Sequence, residues 1–136
     1  MIRILPAVLL FMLAACQQPN CVNTIAGRAS SPDGKFDAVM FVRDCEDVDE
    51  DFDTQISLVP AGVTPLGIGN IYVADTNEGK AATGDWGGPW TSVEWLDDGM
   101  LLIRYAKHTR IFSLIEYENG IQILYEEKPD LPETAN

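Results

Sequence analysis

The sequence predicts an all-β fold: one small antiparallel β domain, a sandwich or an open barrel or meander, closed by one disulfide and preceded by a helical signal peptide. Three observations carry this expectation. Past the leader, no segment keeps a helical apolar period, and short apolar runs alternate with turn signals. Once Cys16 is set aside, an even pair of cysteines remains, Cys21 and Cys45. A hydrophobic content of 46% supports a packed core and argues against disorder.

The leader comes first. Met1, Ile2 and Arg3 give a short positive start, and residues 4–15 form an uncharged, mostly apolar run. A membrane-spanning helix needs about 20 such residues, so this run is too short to span and fits the apolar region of a secretory signal. Leu13-Ala14-Ala15-Cys16 then matches the bacterial lipobox. The Cys16 thiol is the nucleophile that takes the diacylglyceryl group, and the two alanines let the peptidase reach the bond before it. An ordinary signal peptide prefers small residues at both −3 and −1, whereas Leu13 stands at −3. The expected organisation is a lipoprotein signal peptide over 1–15, a lipidated tether over 16–20, the β domain over 21–127 and a flexible tail over 128–136. Palmitate-type chains on Cys16 anchor the protein in the membrane, each buried methylene contributing about 0.8 kcal/mol. Gln17 in place of an aspartate favours the outer membrane, with the domain facing the periplasm.

The strands follow in order. Residues 36–43 are strand-like and come after Pro32-Asp33-Gly34, a turn signal. Residues 55–59 form a second run, ended by Pro60, and 71–74 a third after the glycine-rich 67–70. Residues 91–96 turn at Asp97-Asp98-Gly99 into 100–106. Residues 111–117 meet Asn119-Gly120, a strong two-residue hairpin signal, and 121–125 close the chain of strands. The C-terminal half reads as an antiparallel meander of about four strands. Cys21 and Cys45 favour a structural disulfide in an oxidising compartment over a reactive or metal-binding pair. The chain has no Cys-x-x-Cys, and His108 is its one histidine, so a zinc site is poorly supplied.

Charge narrows the partners. The net charge is −12, and removal of the leader takes away Arg3 and no acid, leaving −13. Such a surface repels phosphates, so nucleic acid is not an expected partner. The plainest reading of the charge is that it keeps the protein soluble; the functional alternative is a cation or a basic partner, such as a basic envelope protein, and oligomeric state stays open. The acidic stretch 44–53 alternates Asp47, Asp49, Asp51 and Asp53, which suggests calcium, but Phe52 stands where a calcium loop needs its turn glycine. Solvated acid is the simpler reading, and no metal or cofactor is assigned. Trp86 and Trp90, on the loop Asp85-Trp86-Gly87-Gly88-Pro89-Trp90, are the candidate partner surface, while Trp95 shares strand parity with Val93 and belongs to the core. Arg104, Lys107, His108 and Arg110 form a small basic cluster that reads as solvated charge. No nucleophile elbow, phosphate loop or dinucleotide fingerprint is present, so no catalytic residue is assigned. Acid pairs such as Glu94 and Asp97 leave a small envelope hydrolase as the enzymatic alternative.

Four segments together resemble a family of small bacterial proteins of unknown function, many of them exported or membrane-tethered. They are Cys21 with Ser31-Pro32-Asp33-Gly34-Lys35; residues 38–45, ending Arg43-Asp44-Cys45; residues 69–75, with Asn70-Ile71-Tyr72; and Gly88-Pro89-Trp90 followed by Glu94-Trp95 and residues 101–105. Thr54-Gln55-Ile56-Ser57 also matches. The resemblance covers most of 21–127. It strengthens the pairing of Cys21 with Cys45, brings no activity and no catalytic residue, and marks the acidic run after Cys45 as a local variation. The expected function is that of a membrane-anchored envelope lipoprotein acting as a non-enzymatic interaction module, with an inhibitor of a basic cell-wall enzyme as a related form.

Overall fold

The computed structural model describes residues 20–46 and 51–129; the expected signal peptide over 1–15, Cys16 and most of the expected tail lie outside them. Nine strands follow one another without a helix among the described residues: β1 Cys21–Ser30, β2 Phe36–Cys45, β3 Asp53–Pro60, β4 Tyr72–Asp75, β5 Thr91–Asp97, β6 Met100–Ala106, β7 Arg110–Leu114, β8 Tyr117–Glu118 and β9 Ile121–Lys128. They form two sheets, β1-β2-β3-β4-β7 and β5-β6-β9-β8. The all-β expectation holds.

Alternation along the strands sets the core. Ala38 and Met40 on β2, Ile56 and Leu58 on β3, and Tyr72 and Ala74 on β4 pack against Leu101 and Ile103 of β6 and Ile121 and Ile123 of β9. Each set shares one face because side chains repeat with period two. The sheets are also pinned by polar groups. The Tyr125 hydroxyl meets the Ile71 carbonyl at 3.0 Å and the Ile115 carbonyl at 2.7 Å, and the Trp95 indole donates to the Ala29 carbonyl at 2.9 Å. Trp95 also packs against the core, as its strand parity requires.

The C-terminal strands depart from a simple meander. β5 and β6 are antiparallel, but β7 leaves the second sheet and pairs with β4, and β9 returns parallel to β6. The switch occurs at the turn Lys107-His108-Thr109, where His108 takes φ 69°. Arg110, the next residue, then clasps Asp75 across the β4–β7 pair. The Asn119-Gly120 turn forms as expected, with φ 50° and 77°, the two positive values a type I′ hairpin needs.

β1 is the strand that pattern reading passed over. Its apolar residues are few, and a register shift between Ile25 and Gly27 breaks its alternation. Its first residue faces Cys45 in register, and the Cys21–Cys45 disulfide closes the β1–β2 pair at a Cα–Cα distance of 4.0 Å.

β2 and β3 are buried on both faces. A strap, residues 61–70, lies across the outer face of the first sheet and supplies the second cover. Polar side chains of that sheet hold it by its backbone. Asp37 accepts from the Gly62 amide at 2.9 Å, Arg28 donates to the Val63 carbonyl at 3.1 Å, and Gln55 accepts from the Gly69 amide at 2.8 Å. The Asn23 amide donates to the Pro65 carbonyl at 3.0 Å and the Gly67 carbonyl at 2.8 Å. Arg43 reaches the Leu66 carbonyl at 3.1 Å. Asn70 ends the strap by exchanging two hydrogen bonds with the Leu58 backbone.

Candidate functional site

An open cleft of about 330 Å³ lies where β2 ends and β3 begins. Its floor is Thr24 and Val42, which face each other in the β1–β2 register. Its walls are aromatic: Phe52 and Trp86. Asp44 and Asp51 stand at its edge; Arg43 and Asp53 border it too, but their side chains turn to the opposite face, Arg43 toward the Leu66 carbonyl and Asp53 toward Gln55.

The glycine-rich loop explains why Trp86 stands where it does. A Cβ on Gly84 would lie 2.3 Å from the Trp86 ring, so the indole folds over a position that only glycine can fill. A Cβ on Gly88 would lie 2.0 Å from the Asp53 carbonyl oxygen, so the loop approaches β3 at backbone contact. The Trp86 indole donates to the Thr54 hydroxyl at 2.8 Å, and that hydroxyl donates onward to the Pro89 carbonyl at 2.8 Å. Both polar atoms are thereby satisfied inside the fold, and Trp86 forms a rigid, half-buried wall. Phe52 lies against Gly87 and stays 67% exposed, which makes it the accessible aromatic of the cleft.

The acids differ in what they are free to do. Burial works to raise the Asp51 carboxyl, but the Thr76 hydroxyl and the Glu78 and Phe52 amides outweigh it and hold the group below the usual carboxylate range. Asp53 is buried and accepts from the Arg43 amide at 2.9 Å and the Gln55 side chain at 2.7 Å. Asp44 is exposed, and no hydrogen bond or ion pair of its side chain occurs among the described residues. The rim is thus a fixed anionic edge with one carboxylate open to solvent.

A second cavity of about 300 Å³ shares Asp51 and Asp53 and lies on the outer face of the first sheet, beside Asp75, Arg110 and Phe112. Its one cation is already paired. Arg110 forks onto Asp75 at 2.5 and 2.9 Å and sits 5.3 Å over the Phe112 ring. The hydrogen bond to Asp75 raises the guanidinium above its ordinary value.

The candidates from the sequence separate in space. Trp86 lines the cleft, while Trp90 is half-buried, hydrogen-bonded through its backbone to Ala82 and Ala106, and lines neither cavity. Cys16, Asp47 and Asp49 lie outside the described residues, and the described ones contain no cluster of three metal-ligating side chains. The basic cluster is dispersed: Arg104 pairs with Glu94 at 2.7 Å and Glu126 at 3.3 Å, and Arg110 with Asp75. Glu94, Asp97 and Asp98 line neither cavity; Glu94 is bound to Arg104, and Asp97 caps the turn by accepting from the Gly99 amide at 2.8 Å. Pattern reading missed Phe52 as a site residue because it sits inside an acidic run. Compared with protein-family models, curated proteins and solved structures, the chain matches none.

Proposed function

We propose that the chain is a lipid-anchored envelope protein whose domain binds a basic protein partner through the Phe52–Trp86 cleft. The observation that carries this reading is the cleft itself: an open aromatic site edged by carboxylates on a strongly acidic protein. A lysine or arginine side chain fits that chemistry, because its aliphatic stem packs on the rings and its cationic head meets the acids and the π-faces. The net charge of −12 would speed the encounter with a basic surface and make it salt-sensitive. Export is supported by the lipobox at Cys16 and by the Cys21–Cys45 disulfide, a bond that persists in oxidising compartments.

The test is in-cell photo-cross-linking from benzoylphenylalanine placed at Phe52, with mass spectrometry of the products. One basic envelope protein should be captured reproducibly, and Asp44→Asn should weaken capture. Capture that is no greater than from the same group at Asp98, in the β5–β6 turn, would overturn the reading.

A further inference from the structure

We infer that the strap over the outer face of the first sheet is a membrane-contact surface: Leu66 and Ile68 seat in the headgroup region of the bilayer to which Cys16 is anchored. The inference rests on the lipoprotein reading of Cys16 and adds a second, non-covalent contact that fixes the domain's orientation.

Three observations converge. The first is exposure. Leu66 is 83% exposed, more than any other large apolar residue among the described ones, and Ile68 is 67% and Val63 45% exposed. Scattered single apolar residues need no explanation, but three exposed ones within a ten-residue strap are an apolar concentration that water disfavours.

The second is charge. Residues 54–74 contain no Asp, Glu, Lys or Arg in a chain with 21 acids, so the strap brings no carboxylate to an anionic bilayer. The cations beside it are Arg28, bonded to the Val63 carbonyl and paired with Asp37, and Arg43, bonded to the Leu66 carbonyl. Guanidinium groups at the edge of an apolar patch suit lipid phosphates.

The third is the tether. Asn23 bonds both carbonyls that flank Leu66, so the tip of the strap lies against the start of β1. Cys16 lies five residues before Cys21, where β1 begins. Such a tether spans at most about 18 Å when fully extended. The anchored chain therefore holds the strap at high local concentration against the bilayer, and a weak contact suffices. A protein partner on the strap would have to fit in the same narrow gap.

The experiment uses the mature lipidated chain in vesicles of phosphatidylethanolamine with a minor share of phosphatidylglycerol. With Cys16 acylated and Cys21 bonded to Cys45, a cysteine introduced by Leu66→Cys is the one free thiol, and it takes an environment-sensitive nitrobenzoxadiazole dye. Leu66 is 83% exposed, so its replacement leaves the core packing in place, and Asp98→Cys in the β5–β6 turn serves as the control. The dye at position 66 should shift its emission to the blue and lose intensity to doxyl-labelled lipid; the dye at position 98 should do neither. A chain that floats with the vesicles while its position-66 dye emits as in water overturns the membrane contact and leaves the anchor standing. A dye shielded only after another envelope protein is added assigns the strap to a protein and also overturns it. A mature chain with no acyl group on Cys16 removes both readings together.

Discussion

At residue 88, a hydrogen atom in place of a methyl group decides whether the tryptophan loop reaches β3. Gly88→Ala would force a Cβ to 2.0 Å from a backbone oxygen, which no side-chain rotation relieves. We expect a loss of more than about 3 kcal/mol in urea unfolding. Thr54 is as constrained but in a polar sense. Its hydroxyl serves both the Trp86 indole and the Pro89 carbonyl. Thr54→Val keeps the shape and strands both, for an expected cost of about 1–3 kcal/mol and a more mobile cleft wall, visible in tryptophan fluorescence. Asp37 is 3% exposed and gathers the Gly62 amide, the Ser30 hydroxyl and the Arg28 guanidinium, and these hold its carboxyl below the ordinary 3.8. A group depressed in the folded state contributes stability that is complete above its unfolded value and lost as pH falls through its folded one. Asp37, Asp51 and Asp33 all shift this way, so stability should be flat above about pH 5 and fall on acidification below pH 4. Asp37→Asn should cost about 2 kcal/mol at neutral pH and flatten the acid limb of that curve, as read from melting temperature against pH.

Elements add the constraints that single residues cannot. The β1–β2 pair is closed by Cys21–Cys45, 24 residues apart in sequence. In the chain-entropy model the bond contributes about 3 kcal/mol, so full reduction should lower the melting temperature clearly, and an unchanged melt would show that the bond does not limit unfolding. The β8–β9 hairpin depends on Gly120 at φ 77°, and Gly120→Ala should cost about 1 kcal/mol without altering the fold. These two devices were legible in the sequence, as cysteine arithmetic and as an Asn-Gly turn. Strand positions were legible too where β-branched and apolar residues run together, as over β6. Pairing was not. A strand's own sequence does not say which sheet it joins, and β7 changes sheets through a turn whose residues, Lys107 to Thr109, read as any surface loop. The strap is not legible in sequence because loops are expected to be polar, while this one is uncharged and held by its backbone. In the cleft, Trp86 stood out as an aromatic beside glycines, but Phe52 was hidden among acids, and only folding sets the two across one opening.

At the scale of the whole molecule, three kinds of surface divide the labour. The body is acidic, the cleft at the β2–β3 end is aromatic and anionic, and the strap is uncharged and apolar. An acidic body predicts that association with a basic partner slows as salt rises, since the steering field is screened within about 8 Å at physiological ionic strength. Stopped-flow association rates across a salt series check this once the partner is captured, and a rate indifferent to salt would remove steering from the account. Attachment to the envelope depends on Cys16. The most direct measurement is the intact mass of the mature chain isolated from the membrane fraction, with Cys16→Ser alongside. A lipid-anchored protein gives a chain that begins at Cys16 and carries a diacylglyceryl group, and a Cys16→Ser chain that stays unprocessed or soluble. A mature chain that begins at any other residue, or at an unmodified Cys16, would contradict it.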